Sequence, residues 1–196
     1  KLVNLCMPED FDNWEEEEPQ DFYLVCLEKA KELIVDDYKF MSNYLADNPC
    51  TQEEQDEIDE YEEQLLTDGL TKDERKELKK AFRETDVFYK YNMRRKVVAA
   101  MQVLGWGDGY NRSVIKRNCM TYCYGSRDYG FAEQIRSDTM KDLSMRVRDA
   151  KDSLTVHPFG NDDGYYAATY LASMHLQAIK SVNIIFVILF ISIYFH

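Results

Sequence analysis

The first seventy residues have almost no positive charge: 4 Lys+Arg stand against 22 Asp+Glu, a net of −18. Residues 71–196 carry 20 and 14, a net of +6, and the two parts together give the whole-chain −12. An acidic total argues against a nucleic-acid binder, but phosphate contact depends on local charge, and the second part is basic. The first residues do not read as a secretory leader, and an intracellular protein is the expectation. Cys6, Cys26, Cys50, Cys119 and Cys123 make five cysteines at irregular spacing, so no even set supports a disulfide framework. Free thiols in a reducing compartment are the expectation, and a secreted helical ligand binder is disfavoured. Cys119 and Cys123 would share one helix face, yet no matching Cys/His pair elsewhere completes a metal set. A long bilayer-spanning run is missing as well. Residues 182–195 are a run of 14, nearly all apolar, about 21 Å as a helix against ~30 Å of hydrocarbon. That tail reads as translation past an interrupted frame, with a short tail anchor, a lipid-anchor signal or a buried strand as alternatives.

What is present centres on residues 109–131. Asn111 is a suitable N-cap and Gly125 a suitable C′ residue for a helix between them. Arg112, Lys116, Met120 and Tyr124 recur every fourth residue. Four residues advance about 400°, so this row stays on one side of the helix. Lys116 and Tyr124 then stand roughly 12 Å apart along the axis, about the length of a nucleotide. Two cations at the N-terminal end could hold a triphosphate, where the helix dipole has the right sign. A tyrosine followed by glycine at the other end leaves room for a sugar or base. A solvated basic face shows the same spacing, so geometry alone leaves both readings open.

Elsewhere the pattern is helical. Phe22, Cys26, Leu27, Ala30, Leu33, Ile34, Tyr38 and Met41 form an apolar stripe, which predicts a helix over 20–46, ended by Asn48-Pro49. An acidic connector precedes it, reaching Glu15-Glu16-Glu17-Glu18-Pro19. Thr51-x-x-Glu54 and Thr71-x-x-Glu74 are capping boxes. The first starts a short acidic helix to about Thr67. The second starts a helix through Leu78 and Phe82, with a continuation toward Leu104. The run 70–82 also looks like the first helix of an EF-hand, but the loop from Asp86 lacks both the glycine and the row of oxygen ligands, so calcium is rejected. Residues 105–110 read as a glycine-rich hinge before the central helix. A further helix follows Phe131 and ends before His157-Pro158. Asn161-Asp162-Asp163-Gly164 forms a turn, and a last helix runs from Tyr165 to about Asn183.

Arg112-x3-Lys116-x7-Tyr124-Gly125, with Tyr129-Gly130-Phe131 beyond it, resembles the fingers helix of the single-subunit, bacteriophage-type DNA-directed RNA polymerases. The opening Val3-Asn4-Leu5 and Gln20-Asp21-Phe22-Tyr23 are similar to the segment that follows that family's first palm motif. The resemblance covers nearly all of the chain to Asn183 and is strongest over 109–135. It implies a mainly α fold: the helical fingers subdomain of a right-hand-shaped polymerase, with little or no palm sheet. The division it suggests is a palm-to-fingers helix over 1–50, a variable helical insertion over 51–104, the fingers core over 105–183 and the apolar tail over 184–196.

The resemblance also implies site roles. Arg112 and Lys116 would bind the triphosphate, and Lys116 would act as general acid toward pyrophosphate. Met120 and Tyr23 would line the nucleotide site. Tyr124 would sense the ribose 2′ hydroxyl, and Gly125 would leave space for the base pair. Tyr129, Gly130, Arg117 and Arg127 would meet the template or its backbone. The implied cofactor is Mg2+ on palm aspartates that this sequence lacks: the first, in an Asp-Gly-Ser/Cys-type motif, is expected before residue 1, and no histidine here is followed by aspartate. The expectation is therefore a fragment, inactive alone, of an enzyme that uses template and promoter DNA, nascent RNA and ribonucleoside triphosphates. Its expected place is intracellular: a host cytoplasm if viral, otherwise a mitochondrion or plastid, with no membrane partner. The rival is a helical module tethered to a membrane by its C-terminal run.

Overall fold

The computed structural model describes the backbone of residues 5–6, 20–150, 159 and 164–194, and side chains within 21–139, 159 and 164–182. The acidic connector, the approach to His157-Pro158 and the Asn161-to-Asp163 part of the turn lie outside the described residues. The rest is mainly helical: α1 (Phe22–Asp47), α2 (Gln52–Leu66), α3 (Lys72–Arg83), α4 (Val87–Gly105), a 3-10 turn (Gly107–Gly109), α5 (Arg112–Tyr122), α6 (Asp128–Ala150) and α7 (Tyr165–Tyr194). Among the described residues the strands amount to one antiparallel pair, β1 (Leu5–Cys6) and β2 (Gln20–Asp21), with Leu5 opposite Asp21 and Cys6 opposite Gln20.

The chain divides into two compact units, residues 38–98 and residues 1–37 with 99–196. In the 38–98 unit both capping boxes form as the sequence predicts. The Thr51 and Thr71 hydroxyls accept from the Glu54 and Glu74 amides, and each glutamate accepts from its threonine's backbone N–H. These bonds satisfy amides that would otherwise lack helical partners, and the glutamates complement the dipole. The core is aromatic: Ile58, Tyr61, Phe82, Val87 and Tyr91 are buried together. Tyr61 stacks on Phe82 at 3.8 Å between centroids, and Tyr91 meets Phe82 edge-on at 5.2 Å.

This core corrects the expectation of one helix from Thr71 toward Leu104. The helix ends at Arg83 and a new one begins at Val87. In a continuous helix Phe82 and Tyr91 would point about 180° apart, on opposite sides. The break lets both reach Tyr61. Thr85 holds the corner, its hydroxyl donating to the Phe82 carbonyl at 3.0 Å.

In the other unit α6 and α7 pack closely, with α5 against both. Phe131 and Ile135 of α6, Leu171 and Ile179 of α7, and Ile115 of α5 are almost fully buried. The predicted stripe of α1 is the buried one there too: Cys26, Leu27, Ala30 and Ile34. The glycine-rich stretch before α5 folds as a 3-10 turn that ends on a buried Tyr110. Gly109 is required by close approach, since a Cβ there would collide with the Trp106 indole. The last helix does not stop near Asn183. It continues to Tyr194, which removes the buried-strand reading of the tail. Residues 183–194 contain no glycine or proline to end it.

Candidate nucleotide-binding site

Helix α5 begins and ends where its sequence places the signals. Asn111 accepts from the Ser113 amide at 3.0 Å, the predicted N-cap bond. At the far end Gly125 has φ +89°. Its N–H reaches the Tyr122 carbonyl and that of Ser126 reaches Thr121, each at 3.1 Å, a Schellman closure that only a residue tolerant of positive φ supplies cheaply. Nothing lies within 4 Å of where a Cβ on Gly125 would stand, so open space faces this glycine.

Val114, Ile115, Asn118 and Cys119 form the buried face of α5. Lys116, Met120 and Tyr124 are on the exposed side, Tyr124 at 89% exposure, and Arg112 at the start of the row is half-buried. The four-residue spacing therefore does produce one accessible row. Lys116 has no ion-pair partner among the described residues.

Arg112 is held tightly. Asp21 Oδ2 accepts from Arg112 Nε at 2.7 Å, and the guanidinium lies 4.9 Å over the Tyr23 ring. The other oxygen of Asp21 caps α1, accepting from the Tyr23 amide at 2.8 Å. Burial alone would raise the Asp21 carboxyl, but the Arg112 hydrogen bond, the Tyr23 amide and the guanidinium charge hold it below the usual carboxylate range. Burial, helped by the nearby Cys119, raises the Tyr23 phenol, which stays neutral beside the cation. Tyr23 thus sits against Arg112, at the start of the row. Asp21 stands in the same Gln20-to-Tyr23 run, and the sequence reading gives it no role: an Asp directly before a helix signals a cap, and nothing local signals its second partner 91 residues away.

A chain of polar groups, buried at Tyr110, Asn118 and His175 and half-buried at Gln134, anchors α5 from below. Asn118 Nδ2 donates to Gln134 Oε1 at 2.8 Å, which leaves Asn118 Oδ1 as acceptor for His175 Nδ1 at 2.6 Å. His175 Nε2 then accepts from the Tyr110 hydroxyl at 3.0 Å. Burial pushes His175 down to about 3 and raises Tyr110, so both are neutral and the chain carries no charge. The Cys26 thiol is hydrogen-bonded to Cys119; that bond and burial push it up, so it stays protonated. Sequence reasoning singles out none of Tyr110, Asn118, Gln134 and His175. A polar residue on an otherwise apolar helix stripe is the only sign His175 offers.

The remaining site residues are placed as follows. Tyr129 is 75% exposed at the start of α6. Gly130 is half-buried, and a Cβ there would press on the Ser126 hydroxyl. Arg117 donates to Asp138 at 2.6 Å. Arg127 folds back on the end of α5, donating to the Ser126 carbonyl at 2.7 Å and lying 4.8 Å over the Tyr122 ring.

Among the described residues no group of three or more His, Cys, Asp or Glu could hold a metal ion. Asp21, the carboxylate beside Arg112, is committed to its arginine and its cap. The described residues therefore do not fit a Mg2+ centre. Among the residues whose side chains are described no helix is long and apolar enough to cross a membrane; the apolar tail over 184–196, which the tethered-module reading takes as its anchor, lies outside them.

No curated protein and no solved structure matches the chain. A family model described as DNA-dependent RNA polymerase matches residues 3–186, nearly the whole length, including the Gln20-to-Tyr23 run and all of α5. The chain belongs to the DNA-dependent RNA polymerase family, of the single-subunit, bacteriophage type, whose members are nucleotidyltransferases that copy DNA into RNA.

Proposed function

We propose that α5 is the helix that receives the incoming ribonucleoside triphosphate. The accessible row Arg112, Lys116, Met120 and Tyr124 carries this reading, because the opposite face is pinned by Ile115, Asn118 and Cys119. Arg112 and Lys116 take the phosphates at the N-terminal end, where the helix dipole adds a favourable field. The Asp21 carboxylate and Tyr23 ring fix the guanidinium, so little side-chain freedom is lost on binding. Lys116 donates a proton to the departing pyrophosphate, a role open to an ammonium group with no carboxylate holding it. Met120 lies under the sugar, Tyr124 meets the 2′ hydroxyl, and the space before Gly125 receives the base. Tyr129, Gly130, Arg117 and Arg127 face template DNA, the two arginines through donors that no described residue takes. Promoter DNA and nascent RNA are partners on the same reading. Polymerases of this family generally use Mg2+ for the transfer itself.

The test is titration of the 196-residue chain with a ribonucleoside triphosphate by calorimetry. The combined Arg112→Gln and Lys116→Gln variant weakens binding at least about tenfold, since two charge-assisted bonds are lost. Equal affinity in the variant would sink the assignment. Tyr124→Phe narrows the preference for ribo- over deoxyribonucleotide without loss of overall affinity.

A further inference from the structure

The polymerase reading leaves the charge pattern of residues 38–98 unused. Helix α2 carries Glu53, Glu54, Asp56, Glu57, Asp59, Glu60, Glu62 and Glu63 and no cation. Helix α3 carries Lys72, Arg75, Lys76, Lys79, Lys80 and Arg83. At 100° per residue these six fall within an arc of about 140°. Leu78 and Phe82 occupy the inward side, and Asp73, Glu74 and Glu77 lie beyond the stripe. All six cations are exposed. None forms an ion pair with a described residue. The cations of α4 differ: Lys90 pairs with Glu54 at 2.7 Å and Arg94 donates to Gln55 at 2.6 Å.

The stripe repels itself. Lys72 and Lys76, Lys76 and Lys80, and Lys79 and Arg83 are like charges one turn apart, which weakens an isolated helix. An external polyanion relieves that repulsion. The row is about 17 Å long, too long for one small anion and suited to a line of phosphates. Binding of single strands uses aromatic platforms on which bases stack. Here the aromatic of α3, Phe82, is buried at 5% exposure. A rigid row of cations without stacking groups matches a rigid double helix, which carries one charge per about 1.7 Å of axis.

We propose that the outer face of α3 docks on the phosphate backbone of duplex DNA. The contact is sequence-independent, because no residue of the stripe is placed to read base edges. The acids of α2 other than Glu54, which Lys90 pairs, repel the same duplex and so restrict docking to the α3 side. The proposal draws on family membership only for the presence of DNA. It stands or falls separately from nucleotide binding on α5.

Fluorescence anisotropy of the 196-residue chain with a labelled duplex of arbitrary sequence, over a salt series, tests it. The variant combines Lys76→Gln, Lys79→Gln, Lys80→Gln and Arg83→Gln. Glutamine keeps helix propensity and removes the repulsion, so helical circular dichroism holds or rises. Affinity falls at least about thirtyfold at low salt, and the log–log salt slope becomes shallower by roughly 3–4, close to 0.9 for each phosphate no longer neutralised. The smaller Lys76→Gln, Lys80→Gln variant changes the slope by about 2. Unchanged slope and affinity in both variants would overturn the proposal. So would a wild-type chain that ignores duplex at low salt, or one from which single-stranded RNA or polyglutamate displaces the duplex at lower charge concentration. Triphosphate affinity is unchanged in these variants if the two sites are independent.

Discussion

Residues 38–98 and the unit that carries α5 are both small helical assemblies, yet they are held together differently. The first relies on a stack of rings, Tyr61 on Phe82 with Tyr91 at the edge, and keeps its polar bonds on the surface in two capping boxes. The second buries a hydrogen-bonded chain from Tyr110 through His175 and Asn118 to Gln134. Apolar burial is non-directional and gives cohesion. A buried hydrogen bond demands one geometry, because a misaligned polar group in the interior is left without water or partner. The directional device lies directly beneath the helix whose exposed row is proposed to face the nucleotide, a role that needs fixed angles. The insertion-like unit has no such demand and uses the simpler one.

The most severe way to break this contrast is Phe82→Ala. It removes the shared ring of the cluster and costs about 3–5 kcal/mol. Amide exchange should rise throughout α2, α3 and the start of α4 while α5, α6 and α7 keep their protection. Loss of protection in α5 as well would show that the two units are one cooperative body.

A fall in pH should do the reverse. His175 is neutral when folded, with a value near 3, against 6.5 in the unfolded chain. Its contribution is fully present above about 6.5 and is lost as pH falls toward 3, at about 1.4 kcal/mol per pH unit. By pH 4 the α5 unit is weaker by about 3 kcal/mol. The lowered carboxyls of Glu54 and Glu74 withdraw stability only below about 4.5, so residues 38–98 lose less in this window. Denaturant midpoints with exchange mass spectrometry separate the two. His175→Gln keeps a polar side chain and removes the proton site, so its acid slope between pH 6.5 and 4.5 should flatten. A slope that persists would assign the effect elsewhere.

The smallest effect sharpens the contrast. Thr51→Ala or Thr71→Ala removes one cap each, about 1 kcal/mol apiece. Faster exchange should be confined to the first turns of α2 or α3, with triphosphate binding at Arg112 and Lys116 unaltered.

Some elements are legible in the sequence because their causes are local. Thr51 with Glu54, Thr71 with Glu74, Asn111 with Ser113, and Gly125 at the end of α5 act within a few residues of themselves. The stripe through Cys26, Ala30 and Ile34 has the helical period. The row Arg112, Lys116, Met120 and Tyr124 follows from the same arithmetic. The stop at Arg83 is not legible this way, because no glycine or proline marks it and Tyr61 is its cause. The extension of α7 through the apolar tail also escapes, since the run resembles an anchor or a strand as much as a helix.

The amino-acid order alone determined where α2, α3 and α5 start, which side of α5 stays accessible, and the polymerase motif that side displays. Neighbours three or four residues apart settle such matters, and chain connectivity already brings them together. Tertiary structure alone decided that Arg112 is clamped by Asp21 and covered by Tyr23, that His175 is uncharged, and that Asn118 ties α5 to α6 and α7. Those partners stand 16 to 91 residues apart in the chain. They meet only after the apolar faces have packed, and burial then sets both the geometry and the charge of each group.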